Sequence, residues 1–449
     1  MKNVLIISYA FPPLSIAGTF RPMKFVKYLS EFGWDPSVIT VDGRDDIPRD
    51  ETLLKQLPED LEVVRKQAWG PAKLRIISKS DFSKNDITGN KNTVQQKYVR
   101  IKRDLANLAN NFISIPDPLI YWVPSVVSAA LRMYSSKPYD VIFTTSPPHS
   151  IHFAGLALSR RLKVPWIADF RDPWVDNVYF KTLKGTIRIA TDSWLEKAVI
   201  TSCSRVIANT GPNRNKLLKR YGSFVSDSHI LTITNGFDKQ LIDTVIPRQF
   251  DKFTICHTGV YYSIMEPYFF FESVARWLNS RQDKNSIMKS IQILMVGTNE
   301  SEMKPILEKL SLNELVHFIP RVSHEKAISY AKSADLLLVN LGFGDKDKAQ
   351  GWIPLKLYDY LGCRRPILGI LPEGGAASKL IQQTKSGYVI SSPDHQAVAD
   401  ILERHFSAYK DNRPEKDFCP NNSELGKYDV CSLTQELANT LDKVFSQKG

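Results

Sequence analysis

Short runs of Val, Ile, Leu and Phe recur along this chain, separated by longer stretches with helical spacing of their apolar residues, and the whole pattern is run through twice. Residues 4–7, 37–41, 141–144, 166–168, 206–208 and 229–233 read as buried strands, with helical patterns between several of them, such as 21–32 and 151–162. Runs that are apolar throughout, rather than alternating, belong to parallel sheets covered on both faces. The rhythm restarts with strands at 253–257, 291–296, 317–319, 336–339, 367–370 and 388–390, and helices at 273–278, 303–310, 324–331 and 355–361. This predicts an α/β chain of two Rossmann-like domains facing across a cleft, the boundary falling near 240–252. The expected division is an N-terminal domain over 1–247, a C-terminal domain over 248–415 and a closing segment over 416–449. Clefts between such domains commonly bind small molecules.

A chain of 449 residues, 43% hydrophobic and 24% charged, is long enough for large cores and too apolar to be disordered. Cys203, Cys256, Cys363, Cys419 and Cys431 are odd in number, widely spread and without a CxxC pair, which argues against a disulfide framework or zinc ribbon and for a reducing cytoplasm. Lys and Arg exceed Asp and Glu by 59 to 47, a balance that favours an anionic partner without naming it. Nucleic acid is a poor choice, because RNP-like aromatics and a helix-turn-helix are both missing. Residues 44–120 break the rhythm as a polar, basic insertion, in which 71–103 carry nine Lys and Arg against Asp81 and Asp86. Residues 94–112 have the spacing of an amphipathic helix, either an ordinary surface helix or, with the basic run, an arm that rests on anionic lipid. No stretch approaches 18 consecutive apolar residues, so peripheral contact with the inner face of a membrane is the form such binding would take. Near the end, Ser432 and Gln435 read as the capped start of a helix with Leu437, Leu441 and Val444 on its apolar face.

Four segments carry chemistry. Residues 11–21 follow the first strand and open the next helix, where backbone N–H groups and the helix dipole hold anions; Gly18 allows close approach and Arg21 adds charge. Residues 144–152, TTSPPHSIH, again run from strand to helix and present His149 as either a proton-transfer group, a phosphate contact or a structural hydrogen bonder. Residues 168–174, ADFRDPW, place Asp169 and Arg171 at a strand end, as site residues or as a buried network fixing the loop. Residues 342–361 run from a glycine-bearing loop into a helix with Pro354 near its first turn, Lys356 within it and Asp359 three residues on, a carboxylate able to accept two hydrogen bonds from a ribose diol. Gly374 and Gly375 form a further small-residue turn.

At these residues the chain resembles the retaining nucleotide-sugar glycosyltransferases of the GT-B fold, glycosyltransferase family 4. The resemblance rests on VLIISYAFPPLSIAGTFR, VIFTTSPPHS, VPWIADFRDPW, ITNGFD, HTGVYY, ILMVGTNE, VHFIPRVSHEKAISYAKSADLLLVNL and IPLKLYDYLGCRRPILGI, in that order. It implies a donor bound mainly to the C-terminal domain, an acceptor bound mainly to the N-terminal domain, retention of anomeric configuration, no metal, and a final helix that crosses back to the N-terminal domain. It further implies that the loop around Gly18 lies near the donor diphosphate, Asp359 holds the ribose, Arg321 and Val322 sit by the nucleobase, and Gly374 and Gly375 wall the donor sugar. No cofactor is implied beyond the UDP- or GDP-sugar that serves as co-substrate.

Two departures from the family pattern stand out. The first acidic position of the E-x7-E element is Gly351, and residues 260–267, VYYSIMEP, lack the Arg and Lys that other members place on the diphosphate. The leaving diphosphate of a metal-free transfer needs cations, and Lys356, Arg21 and Arg171, in that order, are the expected ones. The reading that follows is a glycosyltransferase acting on a saccharide or lipid-linked acceptor in surface polysaccharide biosynthesis, with Lys356, Arg171, Asp169 and His149 as catalytic candidates. Its alternatives are a catalytically weak or inactive nucleotide-sugar-binding relative and a nucleotide-sugar 2-epimerase.

Overall fold

The structure, a computed structural model, describes residues 1–43, 46–68, 115–176, 186–261, 267–343, 350–413 and 418–447. The basic run over 71–103 and the helix expected over 94–112 lie outside these residues. Two parallel sheets organise the chain. The first holds β1 (Lys2–Ser8), β2 (Trp34–Val41), β3 (Glu62–Lys66), β4 (Val141–Ser146), β5 (Trp166–Phe170), β6 (Arg205–Ala208) and β7 (Ile230–Thr232) in the order β3-β2-β1-β4-β5-β6-β7. The second holds β8 (Phe253–Thr258), β9 (Ile291–Val296), β10 (Val316–Ile319), β11 (Leu336–Asn340), β12 (Ile367–Ile370) and β13 (Gly387–Ile390) in the order β10-β9-β8-β11-β12-β13.

The continuous apolar runs follow from burial on both faces. In β1, Leu5 and Ile7 enter one hydrophobic core while Val4 and Ile6 enter the other, on the opposite side of the sheet. In β9, Ile293 and Met295 face one core and Leu294 and Val296 the other. Strand order reverses between β1 and β4, paired from Val4↔Val141 to Ser8↔Thr145, and between β8 and β11, paired at Leu336↔Ile255. Such reversals leave a crevice outside the carboxyl ends of the strands, where ligands of open α/β sheets bind.

The final helix, Val430–Ser446, returns to the first sheet: Leu433, Leu437, Leu441 and Val444 join the core that contains Val4, Ile6, Phe25 and Val26. Its start differs from the sequence-based expectation. Asp429, not Ser432, is the N-cap, its carboxylate accepting from the Cys431 N–H, because Phe237 bridges the chain at that point: its N–H donates to the Tyr428 carbonyl and its carbonyl accepts from the Val430 N–H. The polar insertion is also less irregular than its composition suggests. It contains β3, an edge strand whose Val63 and Val64 are half-buried beside Glu62, Arg65 and Lys66, so its charge is that of an edge facing water. His229 falls in a turn before β7 rather than in the strand. The five cysteines are free thiols, and no described helix is long and apolar enough to cross a membrane.

Candidate active site

The carboxyl end of the first sheet is held by two buried arginines. Pro22 lies inside the helix Ala17–Leu29 and has no N–H to give the Gly18 carbonyl, which a helix would otherwise use. Arg171 takes that carbonyl instead through Nη1, while its Nε donates to the Ser146 carbonyl at 2.8 Å and Nη2 to that of Pro147 at 2.7 Å. A Cβ on Gly18 would stand 2.8 Å from Arg171 Nη1, so the glycine is needed for the guanidinium that rests on it. Arg21 forks onto Asp169, Nε to Oδ2 at 3.0 Å and Nη2 to Oδ1 at 2.8 Å, and also donates to the Ile233 and Thr234 carbonyls. Thr145 Oγ1 completes Asp169 at 2.6 Å. Both partners of this ion pair are almost wholly shielded, 3% and 0% exposed. Arg21, Arg171, Asp169 and Gly18 therefore form one network that ties the loops after β1, β4, β5 and β7 together. The half-buried His149 ring lies flat on Trp174, centroids 5.0 Å apart and 6° from parallel, and Trp174 is anchored by Asp192.

The carboxyl end of the second sheet is arranged differently. Lys356, in the first turn of the helix Leu355–Cys363, donates from Nζ to His257 Nε2 at 2.8 Å and lies 3.4 Å from the Val260 carbonyl. His257 Nδ1 meets the Leu338 carbonyl at 2.9 Å, so Nδ1 carries the proton and Nε2 offers its lone pair to the lysine. Burial and the Lys356 charge push His257 well below its ordinary value, and burial brings the Lys356 ammonium down to about 7. Gly259 has φ +84 and Gly297 φ +83, and a Cβ on Gly259 would come 3.3 Å from Lys356 Nζ. Two left-handed glycines thus let the backbone pass close to Lys356, which stands at a helix N-terminus whose N-cap, Pro354, supplies no side-chain cap.

Between the domains, Asp359 is the meeting point. Its Oδ2 lies 3.0 Å from His324 Nε2, and its Oδ1 lies 3.5 Å from Lys24 Nζ, a lysine of the N-terminal domain whose side chain is 2% exposed. Burial opposes the Asp359 charge, but Lys24 and His324 outweigh it and hold the carboxyl below its usual range. Ser323 caps the helix His324–Ser333 and so sets His324 at its first position, where the backbone N–H also donates to Asp50 at 2.9 Å. Arg321 donates to the carbonyl and hydroxyl of Ser15 across the cleft, and Val322 packs on the C-terminal core.

Gly351, at the position where an acidic residue is absent, is buried in the same interface. Its carbonyl accepts from Thr210 Oγ1 at 3.2 Å and Asn213 Nδ2 at 3.4 Å, and a Cβ there would fall within the van der Waals shell of Asn213 Oδ1. Gly351→Glu is expected to destabilise the protein by about 1–3 kcal/mol through overpacking, with Asn213→Gly recovering part of the loss in the double variant. Thermal melts of the three variants check this, and a Gly351→Glu protein that melts like the parent refutes it. Gly374, at φ +68, requires glycine for its backbone, while Gly375 is the extended N-cap of the helix Ala376–Thr384, whose Ala376 N–H donates to the Gln350 carbonyl.

The expected residues thus fall into three groups: Gly18, Arg21, Asp169 and Arg171 in the N-terminal network with His149 nearby on Trp174; Lys356 at the second sheet; and Asp359 and Arg321 at the domain interface, with Gly374 and Gly375 on the wall beside Gln350. Sequence reasoning missed His257, Lys24, His324, Asn213 and the acceptor role of the Gly351 carbonyl. The first two had a signal: His257 is a titratable residue inside an apolar strand, and Lys24 lies three residues after Arg21 among Phe20, Met23 and Phe25. Among the described residues no group of three or more His, Cys, Asp or Glu side chains is placed to hold a metal ion.

Residues 98–241 match the family model for Glycosyltransferase Family 4. No curated protein matches the sequence. Among solved structures, a glycosyltransferase from Rickettsia africae ESF-5 shares 12% identity over 99% of this chain and 98% of its own, with a TM-score of 0.61. Anabaena Alr3699/HepE in complex with UDP and glucose shares 15% identity over 98% of this chain and 100% of its own, TM-score 0.60. The UDP-GlcNAc 2-epimerase from Methanocaldococcus jannaschii shares 10% over 99% of this chain and 100% of its own, TM-score 0.53. At these identities the likeness is one of fold, and the fold is GT-B.

Proposed function

From a chain that carries the Glycosyltransferase Family 4 match and folds as GT-B, we propose a retaining, metal-independent glycosyltransferase. It moves a sugar from a UDP- or GDP-sugar to a saccharide or lipid-linked acceptor in surface polysaccharide biosynthesis. The carrying observation is the pairing, on one helix, of Lys356 beside two left-handed glycines with Asp359 one turn further along. That spacing suits a diphosphate and the ribose attached to it. Lys356 is the cation best placed for the leaving diphosphate, since Arg21 and Arg171 are engaged with Asp169 and backbone carbonyls. The HepE neighbour holds UDP and glucose on the same fold, which supports a nucleotide-sugar donor. His149, half-buried on Trp174, is the candidate for contact with the acceptor. Residues 71–112 supply the membrane-facing part of this reading, at the cytoplasmic leaflet.

A screen of nucleotide sugars by thermal shift tests it first. A donor present at a hundred times its dissociation constant adds about 2.7 kcal/mol of stability. Acceptor-dependent release of nucleoside diphosphate then marks a transferase; conversion of the donor into its C2 epimer without acceptor or net release favours the epimerase reading, and binding with neither favours the inactive relative. Asp359→Asn is expected to weaken UDP or GDP binding by about 1.5–3 kcal/mol, the worth of hydrogen bonds to a charged group. Titration calorimetry checks this, and an unchanged affinity removes Asp359 from the ribose.

A further inference from the structure

Asp359 belongs to the C-terminal domain, yet the cation that pairs with it belongs to the other one. Lys24 lies on the helix Ala17–Leu29, 2% exposed, with its Nζ 2.8 Å from the Gly236 carbonyl and 3.5 Å from Asp359 Oδ1. His324 takes Oδ2, so each carboxylate oxygen has a partner that fixes its plane, and each keeps acceptor capacity for a further donor. The arrangement is closed from the N-terminal side by Phe20, whose ring lies 4.5 Å from that of His324, and by Asp50, which accepts from the His324 backbone N–H. His324 Nδ1 has no hydrogen-bond partner among the described residues, although its side chain is only 9% exposed. With Nε2 turned to Asp359, Nδ1 is left as a buried acceptor that an added donor would satisfy.

We propose that Lys24 is a positioning residue for the donor: from the opposite domain it holds the Asp359 carboxylate charged and turned toward the ribose hydroxyls, so the nucleoside site is complete only when the two domains are closed on each other. The inference rests on the reading of Asp359 as the ribose-binding carboxylate. Its physical basis is the cost of an ion in a shielded place. Without Lys24 the burial of Asp359 remains and its strongest counter-charge is gone, so the carboxyl moves upward and a larger share is protonated as pH falls. The groups facing Asp359 are Lys24, His324 and, one turn along its own helix, the Cys363 thiol, with Asp50 beyond His324.

The test measures UDP affinity by calorimetry from pH 8 to pH 5.5 in the parent, Lys24→Gln, Lys24→Arg and Asp359→Asn. Lys24→Gln keeps a donor for the Gly236 carbonyl and removes the charge. It is expected to bind UDP about threefold more weakly at pH 8 and at least about tenfold more weakly at pH 5.5, while Lys24→Arg stays within about threefold throughout. Taking the ratio to the parent cancels the titrations of UDP and Lys356. A Lys24→Gln ratio that is flat with pH, an Arg variant no better than Gln, or tighter UDP binding on losing Lys24 each overturns the proposal. If Asp359→Asn itself leaves UDP affinity unchanged, the donor-site reading has failed; if Asp359→Asn loses affinity and Lys24→Gln does not, only this inference has. Should Lys24→Gln not fold, a crystal of the parent soaked with UDP decides: Lys24 still against the Asp359 carboxylate supports the proposal, and Lys24 withdrawn from it overturns it.

Discussion

Lys356→Ala is expected to lower turnover by about 10²–10³-fold, the loss seen when one preorganised donor to a developing oxyanion is removed, while UDP affinity falls by only about tenfold. The asymmetry follows from the chemistry. As the bond to the anomeric carbon breaks, charge builds on the diphosphate, and a cation held at its oxygens gains more in the transition state than in the ground state. Lys356 is suited to this because its Nζ is aimed by neutral acceptors, His257 Nε2 and the Val260 carbonyl, and no carboxylate among the described residues pairs with it. Its ammonium, lowered to about 7 by burial, adds a pH signature. A diphosphate binds the charged form, so the affinity of the parent relative to Lys356→Arg, a ratio in which the titration of UDP cancels, is level below about 7 and declines as pH rises above it. Single-turnover rates and UDP calorimetry on the three proteins check both statements. Equal losses in rate and affinity would make Lys356 a ground-state binder, and no loss in either would remove it from the site.

Arg21→Met is expected to cost about 3–5 kcal/mol of stability, because among the described residues it leaves the buried Asp169 carboxylate with one side-chain hydrogen bond, from Thr145, and only the Arg171 charge nearby. The change also takes donors from the Ile233 and Thr234 carbonyls. The double variant Arg21→Met, Asp169→Leu is expected to recover much of the loss, since the uncompensated charge is then gone. Arg21→Lys is not expected to rescue, because an ammonium cannot form the two parallel bonds that the guanidinium makes to Asp169. Urea unfolding measures all three. An Arg21→Met protein that melts like the parent and loses UDP binding would return Arg21 to the diphosphate.

These two outcomes separate cations that look alike in the sequence. Lys356, Arg21 and Arg171 were all candidates for the leaving group, each at a strand end beside glycine, proline or a helix start. What distinguishes them is which acceptors surround them. Arg171 fills the hydrogen-bonding gap that Pro22 opens at Gly18, a relation between residues far apart in the chain that no local pattern shows. Gly18 looked like room for phosphate and is room for that guanidinium. Gly351 looked like a lost carboxylate and is a tight interdomain contact with Thr210 and Asn213.

The strands, their parallel pairing and the division into two lobes were legible in the residues alone, because a strand buried on both faces has to be apolar at every position and a helix covering it has to be apolar on one side. The carboxylate and lysine on the helix Leu355–Cys363 were legible for the same reason: their separation is set by the helical repeat. Which cation is left with uncharged acceptors and which is spent on the frame was decided only by tertiary structure. Hydrogen-bond partners such as Asp169 for Arg21, His257 for Lys356 and Asp359 for Lys24 come from elements that meet only after folding, and a side chain's charge state and freedom depend on those partners rather than on its neighbours in sequence.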